Sequence, residues 1–143
     1  MAHCRASFLS TFHPAALAVD AKHGLLWVAD VHTGTVRGFN LETYMQLPMR
    51  HAIEGFHSPR ALAVDSRGLL HVSDANGYYI YEYVTDEFGL PVGFLRILED
   101  AKFSAALAIT EAPDGNILLA NGTTIAVISP IEIAEHREGS PGI

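Results

Sequence analysis

The strongest constraint on this chain is that its sequence returns to itself. The segments Ala16-Leu-Ala-Val-Asp20, Ala61-Leu-Ala-Val-Asp65 and Ala106-Leu-Ala-Ile-Thr110 are near copies that begin 45 residues apart each time. A turn follows each copy: Lys22-His-Gly24, Ser66-Arg-Gly68 and Pro113-Asp-Gly-Asn116. Then comes a second apolar run, Leu25-Leu-Trp-Val-Ala-Asp30, Leu69-Leu-His-Val-Ser-Asp74 or Ile117-Leu-Leu-Ala-Asn121. A third run follows in each unit: Thr35-Val-Arg-Gly-Phe39, Tyr79-Ile-Tyr-Glu-Tyr83 and Thr124-Ile-Ala-Val-Ile128. Short β-branched or aromatic runs between turn residues are the signature of strands and hairpins, and a Gly in the turn supplies the positive φ that a tight hairpin needs. Turns this frequent leave no room for paired helices. A repeat of about 40 to 50 residues carrying four such strands is what a β-propeller blade requires.

The predicted fold is therefore all-β: a β-propeller with three four-stranded blades, half of a six-bladed ring. With strands a to d running from axis to rim, the a strands fall near 16–20, 61–65 and 106–110. Their Ala-rich character suits the crowded axis. Two d strands are placed around 45–52 and 93–98. The third comes from 5–12, where the closing strand of a preceding blade would sit, so the blades occupy 1–130 and 131–143 is a polar tail. Propellers close with about four to eight blades, and three would leave open edges. Two chains would complete a ring as a homodimer, each 5–12 strand finishing its partner's last blade. The rival expectation is that further blades come from a longer chain.

The pattern Pro-x-x-Leu-Ala-Val-Asp, Gly turn, Leu-x-Val-x-Asp and aromatic strand resembles the NHL repeat over residues 14–128, as in propellers of the gluconolactonase/SMP-30-like superfamily. Repeats one and two match best; the third has Thr110 and Asn121 where the others have Asp. The resemblance implies a fold more firmly than a function, because such propellers include interaction modules, lyases and lactone hydrolases.

Candidate site residues follow from topology. The d–a and b–c loops of a propeller emerge on one face near the axis. That face receives His13 and His57 just ahead of each blade's Pro, then Asp30, His32, Asp74, Asn76, Tyr78 and Asn121 from the b–c loops. Imidazoles and carboxylates converging on a channel could hold a divalent metal, with His13 and His57 as its candidate ligands. A plainer role stands beside this one: Asp30, Asp74 and Asn121 end strands just before a Gly, where Asp and Asn cap turn backbones. His71, replacing Trp27 in its strand, is expected to pack or cap locally. His23 belongs to the opposite face, and His51 and His136 are expected at the surface.

No Gly-x-Ser-x-Gly elbow, phosphate-cradling Gly loop or paired metal motif occurs. The expected function is accordingly a non-catalytic binding module that presents its axial loop face to a protein or small-molecule ligand, with no cofactor. The alternative is a metal-dependent lactone hydrolase or lyase, the activities that the resemblance implies, using a divalent metal. The formal charge of −7, without a Lys/Arg cluster, argues against nucleic acid. No apolar run approaches the roughly 20 residues that span a bilayer. The single cysteine, Cys4, makes no internal disulfide, and without a signal-like N-terminus the default address is cytoplasmic.

Overall fold

The computed structural model describes residues 13–138. The expected closing strand at 5–12 lies outside the described residues, as do the last five positions of the chain. Among the described residues, ten strands form three antiparallel sheets. The first contains β1 (Pro14–Asp20), β2 (Leu25–Asp30) and β3 (Thr35–Asn40). The second has β4 (Pro59–Val64), β5 (Leu70–Asp74), β6 (Gly77–Thr85) and β7 (Pro91–Asp100). In the third are β8 (Ala108–Glu111), β9 (Ile117–Asn121) and β10 (Thr124–Ile128). Each sheet is a meander, with neighbours in sequence paired in space, as short hairpin turns dictate. The described sheets thus have three, four and three strands, not four each.

Local chemistry explains why the first sheet has no fourth strand among the described residues. Beside the first sheet, the segment 45–52 makes only the isolated bridge Phe39↔Gln46, with a second, Val36↔Ile53, just past its end. Pro48 has no N–H to give a ladder, and a 3₁₀ turn over Met49–His51 interrupts the extension. The strand expected to complete the third sheet, 5–12, lies outside the described residues, and after that sheet the segment read as a polar tail holds a helix, α1 (Pro130–Glu138). Ser129 and Glu132 form a reciprocal cap there, the Glu132 N–H donating to Ser129 Oγ at 3.1 Å and Ser129 Oγ–H to Glu132 Oε1 at 3.3 Å. Pro130 occupies the first helical position, where its missing N–H costs nothing. Ile133 anchors the helix in the core, and α1 packs beside β7.

The sheets stack through their first strands, β1 on β4 and β4 on β8. Alternation along β2 sends Leu25, Trp27 and Ala29 toward the second sheet, where they meet Leu62, Leu70, Val72, Tyr81 and Tyr83. The opposite face of the second sheet, with Leu69, Tyr78, Ile80 and Leu98, packs on Ile117, Leu119 and Ile128 of the third. Complete burial of such side chains is worth about 1.5–3 kcal/mol each.

Polar ties cross these cores. Between the first two sheets, Trp27 Nε1–H donates to Tyr83 OH at 3.0 Å, and that hydroxyl donates to the buried Asp20 carboxylate. Within the second, Tyr78 OH meets His71 Nδ1, while His71 Nε2–H donates to Asp65 Oδ2 at 2.7 Å. The expected local packing of His71 holds. His51, expected at the surface, is buried instead, with Nδ1–H donating to the Pro91 carbonyl at 2.9 Å.

The register of the third sheet differs by two residues from the sequence repeat. Ala108 pairs with Ala120 as Ala61 pairs with Ser73. The Ala112 N–H reaches the Asn116 carbonyl, just as Asp65 N–H reaches that of Leu69. Ala108, not Ala106, is thus the structural counterpart of Ala61 and Ala16. A two-residue slip leaves every side chain on its expected face.

Candidate functional site

One end of the three sheets gathers the loops that precede β1, β4 and β8 and the turns that follow β2, β5 and β9. The residue ending each middle strand ties these segments together. Asp30 Oδ1 accepts the backbone N–H of His13 at 2.9 Å and of His32 at 3.0 Å. Its Oδ2 takes the Thr33 hydroxyl and lies 3.2 Å from Arg37 Nη2. Asp74 accepts from Ser58 N–H at 2.6 Å, His57 N–H at 3.1 Å and Asn76 N–H at 3.3 Å. Asn121, having an amide, reverses the polarity: its Nδ2–H donates to the Ser104 carbonyl at 2.9 Å. Burial opposes ionisation of Asp30, but the Thr33 hydroxyl, the two backbone N–H groups and Arg37 outweigh it and hold its carboxyl below the usual value.

Asp30 and Asp74 are fully buried, and their oxygens are committed to backbone and turn. They are therefore scaffold to this face, and the turn-capping role read from sequence describes their geometry. Tyr78 also leaves the candidate list, because it is a buried residue of β6 bonded to His71. Burial raises its phenol pKa well above the usual value, with the Asp65 charge adding to the shift. His13, His32, His57 and Asn76 remain exposed at this end.

The structure also makes a pairing that spacing did not suggest. The rings of His13 and His32 lie 4.9 Å apart, centroid to centroid, inclined at 49°. Both backbones hang from the same Asp30 oxygen, so one carboxylate sets the spacing of two imidazoles. No group of three or more His, Cys, Asp or Glu side chains suited to a metal exists among the described residues. His13 and His32 would supply at most two nitrogen ligands.

Two other places hold chemistry-bearing groups. Asp65, His71 and Ser73 bring Ser, His and Asp onto one sheet, all buried. The imidazole is engaged at both nitrogens, and Ser73 Oγ is a buried hydroxyl without a partner. This is a structural tie rather than a nucleophile with its base. At the opposite end of the sheets, His23 Nδ1–H donates to Asp20 Oδ2 at 2.7 Å. That ring borders an open groove whose far wall is Phe88, Gly89 and Leu90.

No family model and no curated protein matches this chain. Solved structures do. The extracellular domain of BT4673 from B. thetaiotaomicron aligns with a TM-score of 0.59 at 20% identity, over 87% of this chain and 16% of that one. Virginiamycin B lyase from Staphylococcus aureus aligns at 0.54 and 21%, over 82% and 38%. A Bacteroides uniformis protein described as a 6-phosphogluconolactonase aligns at 0.59 and 11%, over 85% and 43%. This chain spans less than half the length of each. The shared feature is the fold: the three antiparallel sheets of this chain correspond to part of a β-propeller.

Proposed function

We propose that this chain is a propeller-type binding module that receives its ligand, a protein or a small molecule, on the end bearing His13, His32, His57 and Asn76. The observation that carries this reading is the division of labour at that end. The buried carboxylates Asp30 and Asp74 fix the loops, while exposed imidazole and amide side chains stand beside them. Such groups donate and accept hydrogen bonds without carrying a fixed charge. Rigid loops presenting them lose little entropy on binding. Photo-crosslinking tests the reading. A photoreactive residue at Asn76 should capture ligand from a cell extract, and one at Glu42, on the opposite end, should not. Adducts from Glu42 alone would refute it.

The second reading is metal-dependent hydrolysis or lysis, and the His13–His32 pair is what favours it. Two imidazoles can ligate a divalent ion that polarises a carbonyl or bound water. Calorimetric titration with Zn²⁺ should then show one site that is lost in His32→Ala. Absence of heat with the native protein would dismiss this alternative.

A further inference from the structure

Inside the chain, one kind of interface occurs twice. The face of the first blade that covers the second displays Ala16, Ala18, Trp27, Ala29 and Val36, and it meets Leu62 and Val64 on β4. In the observed register, the outward face of the third blade places Ala108, Thr110, Leu118, Ala120 and Ile125 at those same five positions. It is a covering face with nothing to cover among the described residues. Ile125 is 73% exposed and its neighbour Val127 54%. At the other end of the stack, Leu17 and Val19 on β1 stand where Leu62 and Val64 stand on β4. They are 64% and 51% exposed, whereas Leu62 is 7% exposed beneath its neighbouring blade.

Farther from the axis on that outer face of the first blade, Leu26, Val28 and Phe39 are already buried. What it offers a partner is the inner strip, Leu17 and Val19. Contacts between blades within the chain run through the first strands too, β1 with β4 and β4 with β8. Large exposed apolar side chains clustered on one sheet face mark an interaction surface.

We propose that the Ile125/Val127 face of one copy docks on the Leu17/Val19 strip of a second copy, repeating head to tail the interface that joins blades within the chain. Two such contacts between two copies close a ring of six blades, within the range of about four to eight that propellers adopt. The second copy is favoured over an unrelated partner because the two exposed strips of this chain reproduce the two sides of its own internal interface. The inference stands independently of the axial-face reading.

Light scattering on the full chain, native and in two variants, tests it. The native protein should have twice the 15.5 kDa chain mass, and Ile125→Glu/Val127→Glu and Leu17→Glu/Val19→Glu should each be monomeric. Far-UV circular dichroism of each variant establishes that it is folded. An equimolar mixture of the two should regain dimer mass, since one partner keeps an intact covering face and the other an intact strip. A monomeric native protein overturns the proposal. So does a Leu17→Glu/Val19→Glu variant that stays dimeric, which would mean that the third blade docks on itself. If a variant fails to fold, Ile125→Ser with Leu17→Ser gives the same pair of readouts with less perturbation.

Discussion

Tyr83→Phe is the substitution that most sharply tests how the first two sheets are joined. The Tyr83 hydroxyl receives Trp27 Nε1–H at 3.0 Å and donates to Asp20, across 56 and 63 residues of sequence respectively. Trp27 is 0% exposed and Asp20 2%, so water cannot replace the lost partner. Asp20 keeps two donors from His23, but the indole N–H is left with none of its present bonds. A hydrogen bond to a charged group is worth about 1.5–3 kcal/mol, and stranding a buried donor costs about 1–3 kcal/mol. The two overlap, and a loss of about 3 kcal/mol is expected. For a chain of this length that lowers Tm by roughly 9–15 °C.

Tyr81→Phe is the matched control. Its hydroxyl accepts from Arg96 at 2.9 and 3.1 Å, but the Arg96 side chain is 44% exposed and turns to water, so about 0.5–1 kcal/mol is expected. Urea unfolding followed by the fluorescence of Trp27, the single tryptophan, reads both variants. Near-equal losses, or less than about 1 kcal/mol for Tyr83→Phe, would refute the argument that burial decides the cost.

Other expectations follow from the same geometry. Asp30 and Asp65 are both held below the usual carboxylate value; burial opposes this, but hydrogen bonds and neighbouring cations outweigh it. Protons therefore bind the unfolded chain first as pH falls, so the stability these carboxylates provide is present at neutral pH and drains away below about pH 4. Asp65→Asn should lower the urea midpoint at pH 7 and flatten its decline in acid. Gly34→Ala should cost more than about 2 kcal/mol, because φ is +68° and a Cβ would lie 2.1 Å from the Phe56 carbonyl oxygen. Gly24→Ala, at φ +67° with open space around it, should cost only about 1 kcal/mol in the same melt. Asp74→Ala removes the acceptor for three backbone N–H groups, and limited proteolysis should then cut near His57, where the native protein resists.

Much of this architecture is legible in the sequence, and the reasons differ by feature. The apolar run Leu25-Leu-Trp-Val-Ala-Asp30 and its copies, each bounded by turn residues, place every middle strand. The Asp and Asn before the turns announce their capping role. The third sheet hides its register: Ala106-Leu-Ala-Ile-Thr110 imitates the repeat, yet the Pro113-Asp-Gly turn fixes the strand two residues later. Helix α1 carries a written signal, Ser129-Pro-Ile-Glu132, an N-cap with Pro at the first position and Glu at the third. Polar composition alone conceals it. The missing fourth strand of the first sheet is likewise written in Pro48.

The site was legible only in part. Sequence places His13, His32, His57 and Asn76 at one end of the sheets, since strand direction alone decides that. It misjudges Tyr78, because the β5–β6 turn is two residues shorter than its counterpart and draws Tyr78 into the sheet. The His13–His32 pairing has no local signal at all. It arises from a carboxylate 17 residues from His13 that gathers both backbones, a relation that only the folded hairpin creates.

That shared anchor is the centre of the functional reading, and a nuclear Overhauser spectrum with ¹³C-labelled histidine rings tests it directly. Rings 4.9 Å apart should give His13–His32 cross-peaks in the native protein, weakened or lost in Asp30→Ala. A native spectrum without those cross-peaks, or one unchanged by Asp30→Ala, would contradict the account of a loop face organised by its buried carboxylates.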